Sequence, residues 1–394
     1  MPSVVLNLHA HLPLRLKKYS FFDIGHSQDY FDEEESRQVL ERTAKDCYLP
    51  VNAALFKLIR RKRGLFRVSC SISGMLLEQL EKGQKAVLTS FRRLGDTGSV
   101  EFSSEPYHHS LASLFSEDEF REQIALQRRK VRTLFGLVPR SFRNTGLIYG
   151  NDVARIAESM GFRVFLAAGA GRLADDDTTA LYLPEGCRRL RVLLRHDRLS
   201  GDIASRNARA AMSKQSGGAD AFVIKLAEDY RGQEIVNLFL DYESLGKPDC
   251  SETGIFDFLE AFAVALLKQR NWRFLTPSGA AAEHEPARNL DLPGRVSEAD
   301  GSAWLGNHMQ KDAARTLFAM EARVREAKNR KRIGVWRSLQ ASEHFGCMGK
   351  TDLSDGALRC AFNPFATPYD AYISYMNVLK DFSGRLAGKT GVRA

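Results

Sequence analysis

The chain is poor in cysteine. Six are spread over 394 residues, at Cys47, Cys70, Cys187, Cys250, Cys347 and Cys360, and none forms a C-x-x-C pair. That spacing excludes a zinc ribbon or a redox dithiol and fits reduced, structural thiols in a cytoplasmic protein. Long apolar runs are also missing: nothing approaches the roughly 20 apolar residues of a membrane span. The opening MPSVVLNLHAHLP has no basic leader and is interrupted by Asn7 and His9, so no signal peptide is expected. Charge of one sign is in modest excess, with a net +9. The basic clusters at 60–63, 188–189 and 323–332 carry no regularly interleaved aromatics. They read as solvated helix faces, and neither nucleic acid nor a membrane is an expected partner.

What is present suits a large folded core. Hydrophobic residues make up 44% and charged residues 27%, which argues against global disorder. Strand-like runs at 4–9, 65–71, 100–103, 141–142, 164–167, 190–194, 236–240 and 272–275 alternate with helical stretches. The helices are expected over 34–62 with a break or kink at Pro50, 74–94, 152–160 and 255–268. A further helix opens at a Ser116/Glu119 capping box and runs to Phe135. This alternation predicts an α/β fold with a parallel sheet, and its repeat number favours a barrel. Stretches 169–179 and 213–220 read as loops. Residues 284–301 are rich in Pro, Gly and charge. The expected organisation is therefore a barrel over 1–285, a linker over 286–301, and a helical domain over 302–394, with helices over 310–337 and 368–382.

Chemistry concentrates at predicted strand ends. The run 236–240 ends in Asp241-Tyr242-Glu243, and the two carboxylates, two apart on an extended chain, face one way. His9 and His11 share a face at the end of the first strand and, with Glu105, His108, His109, His196 or Asp241, form a candidate metal set for a hydrolase. Glu105, Tyr107 and His109 follow the strand at 100–103 and suit a polyhydroxylated ligand. Arg143 and Tyr149 flank Gly146, which has no side chain for acid–base or nucleophilic work. Trp304, beside a Gly-Asn turn, is a candidate sugar-stacking platform.

In order, these stretches resemble glycoside hydrolase family 57, in particular its α-amylase-like members. The resemblance runs over most of the chain. It includes His11-Leu12-Pro13, Glu105-Pro106-Tyr107-His108-His109, Phe142-Arg143-Asn144-Thr145, Asp241-Tyr242-Glu243-Ser244, Trp304-Leu305-Gly306-Asn307 and the tyrosine-rich 368–379. It implies an incomplete, seven-fold (β/α)7 TIM-type barrel followed by a helical domain. It also implies α-glucan or malto-oligosaccharide ligands, no cofactor, no metal, and a retaining mechanism with two carboxylates. Asp241 matches the general acid/base. Substrate contacts are expected from His11, Glu105, Tyr107, His109, Arg143, Tyr149, Tyr242, Glu243 and Trp304.

The nucleophile of the family belongs between Thr145 and Leu147, where this chain has Gly146. Without a carboxylate no covalent glycosyl-enzyme forms there, a loss of several orders of magnitude in rate. Further departures are Leu12 for Gln, His9 for an acid, Lys247-Pro248-Asp249 for Glu-His-Gln, and His308 for an acid. The expectation is a glucan-binding protein with impaired catalysis. A cavity beside Gly146, open to water or a small anion, is expected with it. Two alternatives are a working retaining enzyme with another carboxylate beside Asp241, and a metal-dependent hydrolase on His9 and His11.

Overall fold

A computed structural model describes residues 1–169, 178–204, 218–230, 232–245, 255–269, 271–297, 301–349 and 363–387. The stretch after Leu245 that holds Lys247, Pro248 and Asp249, and most of the loops at 169–179 and 213–220, lie outside these residues.

Two five-stranded sheets form the centre. The first holds β1 (Ser3–Ala10), β2 (Val68–Ile72), β3 (Val100–Ser103), β8 (Ile235–Asp241) and β9 (Arg273–Leu275). The second holds β4 (Ser141–Arg143), β5 (Val164–Ala167), β6 (Leu181–Pro184), β7 (Arg191–Leu194) and β10 (Arg288–Leu290). Among the described residues every strand pairing is parallel except β6 on β7. Along one edge β1 pairs with β8. Along the other it pairs with β9 over Ser3–Val5 and with β2 over Asn7–Ala10.

The two sheets are stitched at two places. Ser104 donates its N–H to Ser141 and accepts from Arg143, both at 2.9 Å, joining β3 to β4. His196 donates its N–H to Asn237 at 2.9 Å, and the Asn237 amide donates to the Leu194 carbonyl at 3.1 Å, joining β7 to β8. These links carry β1, β2, β3, β4, β5, β7 and β8 around one enclosed apolar core of Val5, Leu147, Val164, Leu166, Leu193 and Phe239. The parallel α/β barrel expected from the strand–helix alternation is observed.

Strand periodicity decides what reaches the mouth. On β1, Val4, Leu6, Leu8 and Ala10 pack outward under the helices, while Val5, Asn7 and His9 face in. On β8, Val236, Leu238 and Leu240 pack outward, while Asn237, Phe239 and Asp241 face in. The interior therefore rises from an apolar floor through Asn7–Asn237, an amide pair at 2.9 Å, to the charged pair His9 and Asp241 in register at the rim.

Several helices follow their sequence signals. The helix Glu117–Phe135 is capped by Ser116, which accepts from Glu119 N–H, and ends on left-handed Gly136. The capping box is only half made, because the buried Glu119 carboxylate turns to Arg325 and Arg337. Pro50 does not break its helix. A π-helical turn, Ala44–Tyr48, precedes it and absorbs the missing N–H between Glu33–Thr43 and Leu49–Arg61. The helix expected over 74–94 is two, Gly74–Gly83 and Lys85–Gly95, parted at Gln84. Gly74 carries no Cβ for a steric reason: one would lie 2.2 Å from the Tyr107 ring.

The tail is helical: Ser302–Leu305, His308–Phe318, Glu321–Glu326, Arg330–Ser338, Ser342–Gly346 and Pro368–Leu386. It shares a hydrophobic cluster with the outer face of the second sheet, joining Phe142, Phe165 and Val192 to Leu317, Trp336, Tyr375 and Phe382. Stretch 286–301 contains β10, paired with β6, and Val296, bridged to Tyr149. It is thus woven into the second sheet rather than being a bare connection.

Candidate functional site

The mouth is built around three imidazoles in van der Waals range. Ring centroids lie 6.3 Å apart for His9 and His11, 5.1 Å for His9 and His109, and 4.4 Å for His11 and His109. His9 sits between two carboxylates: Nε2 is 2.9 Å from Glu105 Oε2 and Nδ1 is 3.5 Å from Asp241 Oδ1. Burial and the nearby Arg143 pull its pKa down, but Glu105 and Asp241 outweigh them and raise it to about 9. His9 is therefore an imidazolium at neutral pH, with both nitrogens donating. Burial opposes ionisation of Glu105, which is 0% exposed, yet His9 holds it below the usual carboxylate range. Arg143, at the end of β4, adds a second cation close enough to shift both. The Asp241 side chain is 44% exposed, so it is the member of this chain that a ligand reaches most easily.

Glu243 and Glu343 frame His11. The carboxylate of Glu243 accepts from the His11 N–H at 3.2 Å and from the Tyr48 hydroxyl. Burial raises the Glu243 pKa to about 7; Tyr48 opposes the shift and Asp241 adds to it. Strand geometry does not align Asp241 with Glu243, because the chain turns into a short helix at Tyr242–Leu245. Glu343, from the tail helix Ser342–Gly346, lies 3.1 Å from His11 Nε2 and 2.9 Å from His109 Nδ1. The backbone of His109 is left-handed, φ 51°, and its carbonyl accepts from Ser342 N–H. That contact seats the tail helix on the barrel mouth.

Three expected ligand contacts point elsewhere. Tyr242 packs outward against Tyr48 and Phe91, and its hydroxyl donates to Asn52 at 2.7 Å. The alternation of β8 sends it away from the interior. Tyr107 donates to Glu78 at 2.6 Å with its ring against Gly74. Tyr149 is fully buried in the second sheet's core, edge-on to Phe165. Two expected metal partners also sit apart: His196 binds the Tyr230 hydroxyl at 2.6 Å, and His108 packs at a tilt against the Tyr107 ring. His9 and His11 do not share a ligand position, since their nitrogens face different partners.

Trp304 and Gly146 form one unit. Trp304 is 6% exposed, and a Cβ at residue 146 would lie 2.0 Å from its Cη2 and 2.4 Å from its Cζ3. The indole occupies the space where a side chain at 146 would begin. Gly146 is also left-handed, φ 55°, a conformation that disfavours any other residue. The expected cavity beside Gly146 is filled, and Trp304 is not an open stacking platform.

Glu343, Ser73 and Tyr48 were not among the residues expected here. Ser73 lies in a stretch, Ser71-Ile72-Ser73-Gly74, that resembles the family but was given no role, and Tyr48 was read only as part of a helix. Glu343 lies over 230 residues from both histidines it meets, beyond the reach of local pattern.

The model of the family described as glycosyl hydrolase family 57 matches residues 5–293. A protein described as a putative alpha-amylase, from Methanocaldococcus jannaschii, is 33% identical over 396 residues, covering 96% of this chain and 84% of the relative. Among solved structures, a GH57 branching enzyme from Thermococcus kodakaraensis superposes with a TM-score of 0.69 at 18% identity, covering 99% of this chain and 90% of that one. The alpha-amylase AmyC from Thermotoga maritima gives 0.66 at 13% identity, covering 99% and 94%. At such identities the solved structures speak for the fold, a barrel with a helical domain. The family match over most of the chain, with the curated relative beside it, places this protein in glycosyl hydrolase family 57.

Proposed function

We propose that the barrel mouth is an α-glucan or malto-oligosaccharide cleft with impaired catalysis. Asp241 keeps the general acid/base position, and His11, His109, Arg143 and Glu243 line the ligand path around it. The observation that carries this reading is the pairing of Gly146 with Trp304. Residue 146 is the nucleophile position by resemblance to the family, and the indole fills the space its side chain would need. A retaining mechanism needs two carboxylates about 5–5.5 Å apart across the anomeric carbon, and this side of the mouth offers an aromatic ring instead.

A second reading is favoured by Glu243. Burial raises its pKa to about 7, so near neutral pH it holds a proton it can donate, as a general acid in glycoside hydrolysis must. In that reading Glu243 is the proton donor, and turnover falls as pH rises through about 7.

The test is calorimetry and reducing-end release with malto-oligosaccharides, on the unaltered protein and on Asp241→Asn. Saturable binding without turnover supports the first reading. Turnover that disappears in both Asp241→Asn and Glu243→Gln supports the second. Absence of both binding and turnover contradicts both.

A further inference from the structure

The mouth contains two overlapping groups that bring two histidines and one carboxylate together: His9, Glu105 and His109, and His11, His109 and Glu343. In the first, both nitrogens of His9 already face carboxylates, at 2.9 Å and 3.5 Å. His9 is thereby tied to two carboxylates at the ends of different strands, whereas the second group has one carboxylate facing both of its imidazoles. The second group is different. His11 is more than nine-tenths buried, yet its Nε2 has no hydrogen-bond partner, and neither has Glu343 Oε2 opposite it. A buried imidazole nitrogen and carboxylate oxygen 3.1 Å apart without a hydrogen bond between them leave both lone pairs open to a shared cation.

We propose that His11, His109 and Glu343 form a binding site for one divalent transition-metal ion of the zinc class. Two imidazoles and one carboxylate are a ligand set that zinc accepts while keeping a fourth position open. The spacings fit. His11 Nε2 and Glu343 Oε2 are 3.1 Å apart, and His109 Nδ1 and Glu343 Oε1 are 2.9 Å apart. Bonds of about 2.0–2.2 Å in a tetrahedron give ligand-to-ligand edges of about 3.3–3.6 Å, so small side-chain movements suffice.

The surroundings orient the ligands. His11 Nδ1 lies 2.6 Å from Ser73 Oγ, which also accepts the Leu76 N–H at 3.2 Å as a helix cap. In the tautomer that donates through Nδ1 to Ser73, the lone pair of His11 Nε2 turns toward Glu343, the arrangement that supports histidine ligands in metal sites. Ser342 Oγ, 3.0 Å from His109 Nδ1, flanks the other imidazole. His11 follows β1, His109 follows β3, and Glu343 comes from the tail. A bound ion would therefore clamp the helical tail to the barrel mouth. This site does not depend on the glucan reading.

The experiment strips the purified full chain with chelator and titrates it with Zn²⁺ by calorimetry. Co²⁺ absorption then reports coordination geometry, and thermal melts report stability. The expected result is one ion per chain, a tetrahedral cobalt spectrum, and a metal-dependent rise in Tm. His11→Gln and Glu343→Gln each weaken binding at least about 100-fold, while His9→Gln keeps it. Ser73→Ala leaves all three ligands in place and decides the matter should Glu343→Gln fail to fold: a 10–100-fold loss supports the site, and unchanged affinity counts against it. No stoichiometric uptake by the unaltered chain overturns the proposal. So does binding lost in His9→Gln but kept in Glu343→Gln, which would assign the ion to the other triad.

Discussion

The two flanks of the barrel mouth solve the same packing problem in opposite ways. On the flank of β1, β3 and β8, polar groups are buried together: His9 between Glu105 and Asp241, and His11 between Ser73 and Glu343. On the flank that follows β4, Gly146 and Trp304 fill the space with backbone and indole. The polar flank can bind, hold protons and respond to ligands. The filled flank excludes water and leaves no room for a second carboxylate.

Breaking the filled flank should have the largest effect on stability. Gly146→Glu combines a left-handed backbone with a collision against a buried ring, and should cost about 4 kcal/mol, read as a lowered denaturant midpoint. Trp304→Ala in the same chain should relieve the collision, so a double-mutant cycle should give a favourable coupling above about 1 kcal/mol. On the polar flank, Glu105→Gln leaves the buried His9 without its nearest counter-charge and should cost about 3 kcal/mol, measured the same way. Ser73→Ala removes a helix cap and the support of His11, for about 1 kcal/mol. Asp241→Asn should change stability by less than about 0.5 kcal/mol, since its side chain is 44% exposed. Its effect should appear in malto-oligosaccharide binding instead. An Asp241→Asn change as destabilising as Glu105→Gln would erase the distinction between reachable and structural carboxylates.

Much of the barrel was legible because strand period and helix caps are local signals. Ser116 and Gly136 bracket their helix, and alternation on β1 delivers His9 to the rim. The same rule, applied one residue further on β8, would have sent Tyr242 outward into the core it shares with Tyr48 and Phe91. β6 and β10 went unseen because LYLP ends in a proline and β10 buries only one of its three residues, Leu290. The break at Gln84 was hidden by apolar spacing that continues across it. Long-range partners were the hardest. Nothing local marks Glu343 as the carboxylate between His11 and His109, or Trp304 as the ring that covers Gly146.

The most direct test compares Gly146→Glu alone with Gly146→Glu combined with Trp304→Ala, following reducing ends from malto-oligosaccharides. The account predicts that the single variant is destabilised and silent. The double variant should gain turnover that Asp241→Asn abolishes, because only then does a carboxylate have room on the filled flank. A single variant that folds with unchanged stability and cleaves as well as the double would contradict the claim that Trp304 holds that space.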